Sequence, residues 1–147
     1  MKNKKAVIAV ALLVICVVIV AIIFYIPRKA ETVLKFDLAS VKSAEITYHP
    51  LGTDSPSQIV LSESDTEELI ETIGETNFVF RSPSKQSIWH CPSYKVVLYT
   101  QDALKSSNRG DSISFTIAED GAFSLDKGIY KAGSDAIYEL LESLSIL

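Results

Sequence analysis

The chain has 147 residues, 48% of them hydrophobic, and its 14 lysines and arginines against 18 aspartates and glutamates give a formal net charge of −4. Most of the apolar excess lies in the first thirty residues, so the remainder has the composition of one ordinary globular domain. From residue 30 onward the chain has nine basic and eighteen acidic residues, which gives a net charge of −9. An acidic surface repels phosphate backbones and anionic headgroups, which argues against nucleic-acid binding and against attachment of the domain face to lipid.

An apolar run near the N-terminus is the strongest signal in the sequence. Residues 6–26 contain no charged residue and no Pro, Gly, Asn or Gln. At about 1.5 Å of rise per residue a helix of this length reaches roughly 31 Å, the thickness of a hydrocarbon core, so the sequence predicts a transmembrane helix over residues 6–27. Three lysines precede it and two basic residues follow it. This bias predicts a single-pass protein of the cell membrane, with residues 1–5 in the cytoplasm and the C-terminal domain outside.

Two other interpretations of this run are weaker. A cleaved signal peptide has a shorter apolar segment and small residues before its cleavage site, whereas here Pro27 and two basic residues follow a longer run. Lipid attachment at Cys16 needs a small residue before the cysteine, and Ile15 is bulky. Because Cys16 lies in the run, Cys91 has no partner for an intradomain disulfide, and we expect its thiol to be mostly buried.

The segment after the anchor begins with a connection and a pair of strands. Residues 28–42 are typical of a short tether that runs into an extended lead-in. Alternation of apolar and polar side chains over residues 44–48 predicts a strand with one buried face, and residues 58–61 return as its partner after a turn rich in Pro, Gly and Asp. An acid three residues after Ser64 forms a capping box that begins a helix, and Gly74 is its predicted C-cap.

A strand, a long loop and a second strand follow this helix. Phe78 and Phe80 alternate with their neighbours as strand residues do, and residues 82–93 then form an unusually long loop. Residues 94–99 carry apolar side chains on both faces. That pattern is typical of a strand covered on both sides, so we expect it near the centre of the sheet.

The last third of the chain predicts a meander and a helix. Strict alternation over residues 113–117 leads to a turn at residues 119–121 and to a returning strand, and Ser134 caps an amphipathic final helix. The sequence therefore predicts an α+β domain over residues 43–147, with an antiparallel sheet of about five to seven strands and two helices packed on one face. The transmembrane helix precedes this domain.

The order of these elements resembles a known type of protein. The strand at residues 41–48, the acidic helix at residues 65–74, the meander, and Gly128-Ile-Tyr-Lys131 before the final helix are similar to small membrane-tethered extracytoplasmic domains of unknown function in Gram-positive bacteria. The resemblance covers residues 30–147. It implies a cell-surface location, and it carries no catalytic residues that transfer to this chain.

The loop over residues 82–93 concentrates the residue types that attract a chemical hypothesis. Trp89, His90 and Cys91 are consecutive there. A zinc site needs three or four ligands, and His49 is the only other histidine. His90 points away from its neighbour Cys91 in an extended segment, so it is poorly placed as the base for a cysteine nucleophile. The sequence therefore predicts no metal site and no cofactor, and it favours a packing role for Trp89 and Cys91.

Two further motifs have simpler structural explanations. Glu67 and Glu71 lie one helical turn apart, but the chain lacks a calcium-binding loop to accompany them. Arg109-Gly110-Asp111 is the tripeptide of integrin ligands, although a turn with Gly110 at a positive φ is its commoner meaning. Neither motif predicts a function.

A binding function is favoured because no reactive constellation converges in the sequence. We therefore expect a membrane-anchored extracytoplasmic binding or accessory module with a protein or peptide partner and no nucleic-acid ligand. Two alternatives stay open. One is an inhibitor or immunity-type protein that captures a cationic partner on its acidic face, and the other is a hydrolase whose site is dispersed along the chain.

The long loop and its flanking strand ends are the predicted partner site. Loops on a rigid sheet concentrate binding function, and Trp, Tyr and Arg dominate binding hot spots. The candidate partner-binding residues are therefore Arg81, Trp89, His90 and Tyr94. The competing hypothesis is that Trp89 packs under the loop as part of the core.

Overall fold

The computed structural model describes residues 2–51, 55–82, 91–101, 110–125 and 128–145, which form four helices, one 3-10 turn and one sheet. The helices are α1 (Lys2–Tyr25), α2 (Ala30–Leu34), α3 (Glu63–Glu75) and α4 (Ala136–Ser145), and the 3-10 turn is Leu38–Ser40. The strands are β1 (Arg28–Lys29), β2 (Ser43–His49), β3 (Ser57–Val60), β4 (Asn77–Ser82), β5 (Ser93–Tyr99), β6 (Ser112–Ala118), β7 (Ala122–Leu125) and β8 (Gly128–Ala132).

Within the described residues, eight strands form one antiparallel sheet in the order β1-β4-β8-β7-β6-β5-β2-β3. An α+β fold with an antiparallel sheet is therefore confirmed, whereas the predicted counts of strands and helices are wrong. The prediction of five to seven strands omits β1, and the prediction of two packed helices omits α2. β5 lies between β2 and β6, as its apolar residues on both faces predict, and β5 to β8 form the expected meander.

The segment predicted as an extended lead-in, residues 28–42, is folded. β1 pairs with β4, and α2 follows β1 without a gap. Helix α2 buries Ala30, Val33 and Leu34 in the core, with Ala30 only 1% exposed. A helix of five residues is too short to show the 3.6-residue periodicity from which helices are predicted, which explains the error.

The helices α3 and α4 begin at other residues than their sequence signals predict. Ser62, not Ser64, is the N-cap of α3, and its side-chain oxygen accepts a hydrogen bond from the N–H of Asp65 at 3.2 Å. Both serines are followed by an acid three residues later, so the capping-box pattern alone does not choose between them. Gly74 lies inside α3, which continues for one residue beyond it, and α4 begins two residues after the predicted cap Ser134.

One hydrophobic core lies between the sheet and the helices. Register pairs place alternate residues of neighbouring strands on the same side of the sheet. We name the buried side the core face, and its members include Ile46, Val96, Phe115, Ile117 and Phe123. Helices α2, α3 and α4 contribute buried residues to the same core. We name the opposite side of the sheet the outer face, and its members include Lys95, Val97, Ser112, Ser114 and Thr116.

Helix α1 is long and apolar enough to cross a membrane. Its span Asn3–Tyr25 has 23 residues, and the apolar window within it is wholly exposed. At 1.5 Å per residue this span reaches about 34 Å, slightly more than a hydrocarbon core. It is the one helix of this kind in the described part of the chain. Membrane anchors and signal sequences near an N-terminus share these properties.

The last turn of α1 packs against the sheet. The ring centroid of Phe24 lies 5.5 Å from that of Phe80 in β4, and the Phe80 centroid lies 5.4 Å from that of Tyr130 in β8. Both distances are within the range preferred by aromatic pairs, and together they place the Tyr130 ring no more than about 11 Å from Phe24. We name this contact the Phe24–Phe80–Tyr130 chain. It joins the end of the apolar helix to the interior of the folded domain.

Candidate functional site

The four residues predicted as the partner site do not form one group. Trp89 and His90 lie outside the described residues. Arg81 is exposed near the end of β4, but Tyr94 in β5 is only 3% exposed. Strands β8, β7 and β6 lie between β4 and β5, so four strand spacings of about 4.8 Å separate the two by roughly 19 Å. The structure therefore separates Arg81 from Tyr94, and partner binding by the loop itself stays a prediction.

Tyr94 is a core residue held by neighbours on two sides. Its ring centroid lies 4.9 Å from that of Tyr48 and 5.2 Å from that of Tyr138, and its hydroxyl is 3.0 Å from Oγ of Ser145. Burial raises the pKa of Tyr94, and burial together with the nearby Tyr94 and Glu119 raises the pKa of Tyr138 to about 12. These phenols stay protonated at neutral pH. They pack α4 against the sheet and are unsuited to act as bases.

The described residues do not bring a thiol site or a metal site together. Cys91 is a free cysteine of intermediate burial, although the sequence predicts it to be mostly buried. No group of three or more His, Cys, Asp or Glu side chains in the described ranges is placed to hold a metal ion. His90, the neighbour of Cys91 in sequence, lies outside these ranges. We therefore assign no site around Cys91.

Gly110 has the positive φ that its turn predicts. Its φ is +66°, and a Cβ atom at this position would lie 2.5 Å from Oγ1 of Thr100. Only glycine fits such a turn without displacing its neighbours. The glycine of the Arg-Gly-Asp tripeptide therefore has a structural role, and Arg109 lies outside the described residues.

Ser93 and His49 lie directly opposite each other in the β2–β5 ladder, so their side chains share one face. Sequence reasoning missed this pair because the two residues are distant in the chain and form no motif. A serine nucleophile needs a hydrogen bond to its base and access to substrate. The Ser93 hydroxyl is buried without a hydrogen-bond partner in the described structure, and the residue is 1% exposed. The geometry therefore does not support a dispersed hydrolase site here.

We expect the substitution Ser93→Ala to stabilise the protein by about 1 kcal/mol, because a buried hydroxyl without a partner carries a desolvation cost that alanine removes. Chemical denaturation of the full chain in detergent, followed by near-ultraviolet circular dichroism, measures the change. Ser112→Ala removes an exposed hydroxyl and is the control, with an expected change within about 0.5 kcal/mol. A loss of stability on Ser93→Ala would show that the hydroxyl has a partner and would restore the pair as a candidate site.

Strands β6 and β7 are paired along only part of their described length. β5 and β6 are in register over seven residue pairs, whereas the described part of the chain gives β6 and β7 two register pairs, Thr116 with Ser124 and Ile117 with Phe123. The first four residues of β6, residues 112–115, therefore have no strand partner on their β7 side among the described residues. We name this gap in the sheet the β6 notch.

Among the described residues, the backbone groups without a strand partner at the β6 notch belong to Ser112 and Ser114. At the two ends of the β5–β6 ladder, Asp111 and Glu119 form hydrogen bonds toward the β5 side, at 3.0 Å and 3.1 Å. Bonded and non-bonded pairs alternate along an antiparallel ladder, so the odd-numbered residues of β6 direct their N–H and C=O groups to β5. The even-numbered Ser112 and Ser114 therefore direct theirs into the notch.

A cavity of about 600 Å³ opens at the β6 notch, and we name it the notch cavity. Its core-side wall is apolar and consists of Val33, Leu34, Ile113, Leu125 and Tyr130. Its outer-side wall is mainly polar and consists of Lys95, Val97, Tyr99, Ser112 and Ser114. The strand register assigns the strand residues to the two walls, since successive side chains of a strand point to opposite faces, and Val33 and Leu34 of α2 belong to the core.

Two lysines border the notch cavity. Lys95 is exposed on the outer face, and Lys35 follows the last residue of α2. Lys35 has a left-handed backbone, with φ of 52°, and its N–H donates to the carbonyl of Glu31 at 2.9 Å. The left-handed conformation costs glycine about 1 kcal/mol less conformational free energy than it costs lysine, so the backbone at Lys35 is strained. The lysine side chain places a positive charge at the cavity in spite of this cost. The cavity is therefore cationic within an otherwise acidic domain.

Tyr99 is fixed in the outer-side wall by a buried carboxylate. Its hydroxyl donates to Oε2 of Glu45 at 2.9 Å, and the side-chain amide of Gln58 donates to the same oxygen at 3.3 Å. Glu45 is 4% exposed and Tyr99 is 8% exposed. A buried carboxylate depends on such donors, so the network holds the Tyr99 ring in one orientation and makes this wall rigid.

The notch cavity lies close to the end of α1. Tyr130 belongs both to the core-side wall and to the Phe24–Phe80–Tyr130 chain. The interfacial layer on each side of a hydrocarbon core is about 5–8 Å thick. For a membrane-spanning α1, the cavity therefore lies at or just above the headgroup layer.

One signal in the sequence points to the β6 notch. β6 has seven residues of alternating pattern, whereas β7 has only four because turn residues follow Leu125. β7 is therefore too short to pair with all of β6. Sequence reasoning missed the consequence because it predicted a meander without comparing the lengths of the two strands. The lysines at positions 35 and 95 carry no signal of their own, since they converge only through the sheet order.

Fold and site together define an α+β domain that follows an apolar helix and has a lateral cleft in its sheet. No family model, no curated protein and no solved structure matches the chain. A function for it therefore has to be argued from the geometry and charge of the site.

Proposed function

We propose that the protein is a membrane-anchored module outside the cytoplasm that binds an extended segment of a partner protein as an added strand. The observation that carries this proposal is the β6 notch, where Ser112 and Ser114 direct backbone groups into a cavity of about 600 Å³. Peptide recognition by strand addition is common, because main-chain hydrogen bonds provide affinity and side-chain pockets provide specificity.

The dimensions of the β6 notch suit a short peptide. Four residues of an extended strand cover about 13 Å, which matches residues 112–115. Ser112 and Ser114 together offer two donors and two acceptors, so an added strand can form four main-chain hydrogen bonds. Each such bond contributes a net stabilisation of about 1 kcal/mol, so the remaining affinity has to come from the walls of the cavity.

The shape of the β6 notch also limits what enters it. The paired part of β7 closes one end of the notch, and α2 contributes to the core-side wall. An exposed, long and flat strand edge would pair with many chains and aggregate, whereas a short edge between two elements admits only a short segment. The notch is therefore better suited to selective recognition than the outer strand β3 of the same sheet.

A position of this site near the membrane surface is part of the proposal. The length and composition of α1 support a transmembrane helix, and the excess of lysines before it supports an N-terminus in the cytoplasm. The contact between Phe24 and Phe80 holds the domain against the end of that helix. A partner would then meet the β6 notch close to the bilayer, as a segment of another membrane protein does.

The variants Ser114→Pro and Ser114→Ala form a matched pair that tests strand addition. Proline removes the N–H that faces the notch and no hydrogen bond of the β5–β6 ladder, whereas alanine removes only the hydroxyl. We expect Ser114→Pro to reduce partner capture from solubilised membranes at least about tenfold, and Ser114→Ala to leave it within about twofold. Quantitative mass spectrometry with the full chain as bait gives the measurement.

Equal capture by the wild type and a folded Ser114→Pro variant would contradict strand addition. Near-ultraviolet circular dichroism establishes whether the proline variant is folded. If it is not, hydrogen exchange of the wild type provides the second test. The amides of Ser112 and Ser114 should exchange slowly only when the captured partner is bound, and unchanged exchange would overturn the proposal.

A further inference from the structure

We infer that the segment bound at the β6 notch carries acidic residues in alternation with apolar ones, an inference that rests on the proposed strand addition. A strand sends successive side chains to opposite faces of its sheet. A peptide beside β6 therefore presents one set of side chains to the core-side wall of the notch cavity and the other set to the outer-side wall. These walls differ in chemistry, so they select different side chains.

The core-side wall selects apolar side chains. Leu34 is 5% exposed, and Ile113, Leu125 and Tyr130 are partly buried hydrophobic residues packed against the core. An apolar side chain from the added strand removes the remaining apolar surface of this wall from water, which is favourable. A charged side chain placed here would lose its hydration without gaining a partner, which is unfavourable.

The outer-side wall selects carboxylates. Lys95 lies in β5 and is exposed, and β6 is the one strand between it and an added peptide. Two strand spacings of about 4.8 Å separate the backbones, a gap that the side chains of lysine and glutamate together can bridge. Lys35 adds a second positive charge at the cavity.

The backbone edge favours a peptide over an anionic lipid as the occupant. Both ligands would meet Lys35 and Lys95, and the cavity lies near the headgroup layer. A lipid tail, however, offers no hydrogen bonds to the N–H and C=O groups of Ser112 and Ser114, and covering those groups without partners is costly. Only an extended main chain satisfies both the charged side and the hydrogen-bonding edge of the notch.

Three pentapeptides labelled for fluorescence anisotropy test the inference against the full chain in neutral detergent micelles. The probes are Val-Glu-Val-Glu-Val, its lysine counterpart Val-Lys-Val-Lys-Val, and Val-Val-Val-Glu-Glu, which has the first composition without its alternation. We expect the alternating acidic peptide to bind at least about tenfold more tightly than either of the others. Its advantage over the lysine peptide should shrink as the salt concentration rises, because salt screens partly exposed charges.

The variants Lys95→Glu and Lys131→Glu separate a local charge effect from a general one. Lys131 is exposed in β8, on the outer face, and does not line the notch cavity. We expect Lys95→Glu to abolish the tenfold preference for the acidic peptide, and Lys131→Glu to leave it within about twofold. Equal effects of the two variants would overturn the inference, since the change would then reflect net charge alone.

Ser114→Pro distinguishes the failure of this inference from the failure of strand addition. Selective binding of the acidic peptide that is unaffected by Ser114→Pro would overturn strand addition. In another outcome, Ser114→Pro abolishes partner capture but the three peptides bind equally or not detectably. This result would support strand addition and overturn the inference of an alternating acidic segment. Displacement by anionic but not zwitterionic lipid vesicles, with no difference among the peptides, would assign the cavity to a lipid and overturn both.

Discussion

Phe123→Ala should lower the free energy of unfolding by about 3–5 kcal/mol, because it empties the centre of the core. Phe123 is fully buried in β7, and its ring centroid lies 4.5 Å from those of both Phe78 and Phe115. Alanine removes the burial of the ring and both aromatic contacts and leaves a cavity between the two remaining rings. A small domain has only about 5–15 kcal/mol of stability, so much of the variant protein should unfold on moderate warming.

Near-ultraviolet circular dichroism of the full chain in detergent measures this loss, since that signal reports fixed aromatic packing and not the helicity of α1. Val60→Ala is the control. Val60 lies in the outermost strand β3 and is 37% exposed, so its truncation should cost less than about 1 kcal/mol. Similar effects of the two substitutions would show that β7 does not lie at the centre of the sheet.

The position of Phe123 also links the core to the β6 notch. Its register pair with Ile117 and the neighbouring pair of Thr116 with Ser124 are the two pairs that join β6 to β7. The stacked rings of Phe115 and Phe123 pack on the core face, next to the point where the described pairing of the two strands ends. The residues that stabilise the core therefore also border the β6 notch, the edge at which we propose strand addition.

The parts of the fold that sequence reasoning predicted are those with a clear local period. The alternation around Phe115, the apolar residues on both faces of β5 and the turn at Gly121 were readable because each depends on a few neighbouring residues. β1 and α2 were missed because two and five residues are too few to show a period. The place of β4 beside β8 could not be read either, since it depends on long-range pairing.

The candidate site was less predictable than the fold. The sequence predicts a site on the long loop, formed by Trp89 with Arg81 and Tyr94 at the ends of the flanking strands. The sheet order separates Arg81 from Tyr94, and Tyr94 is buried in the core. The notch cavity draws on α2, β5, β6, β7 and β8, which are distant in sequence. Its charge comes from Lys35 and Lys95, which nothing in the sequence distinguishes from the other lysines of the chain. Only the mismatch in length between β6 and β7 was visible in advance.

The geometry at the end of α1 connects the apolar helix with the β6 notch. Phe80 contacts Phe24 on one side and Tyr130 on the other, and Tyr130 forms part of the core-side wall. Ring packing is dense and resists compression, so a tilt of α1 would have to be absorbed by Phe80 or passed to that wall. The orientation of α1 relative to the domain and the shape of the notch cavity are therefore coupled through these rings.

Two aspartates in the middle of α1, Val14→Asp combined with Val17→Asp, should remove the protein from the membrane. Each aspartate at the centre of a transmembrane helix costs about 2.5–3.5 kcal/mol and also replaces a favourable valine. The pair therefore changes insertion by about 6–8 kcal/mol, or at least four orders of magnitude in the partition. Carbonate extraction of cell membranes followed by immunoblotting measures the loss, and Val14→Leu with Val17→Leu is the control that should stay membrane-bound.

The mass of the wild-type protein separates an anchor from a cleaved signal sequence, because both would respond to the aspartates. An anchor predicts that the chain recovered from membranes retains the α1 helix Lys2–Tyr25 and that external protease removes the domain while the N-terminal lysines stay protected. A signal sequence predicts a soluble chain that begins after the helix. Release of such a shortened chain during normal growth would contradict the anchor, and the β6 notch would then act away from the bilayer. Retention of the helix would keep the notch cavity beside the headgroup layer, where the Phe24–Phe80–Tyr130 chain holds it.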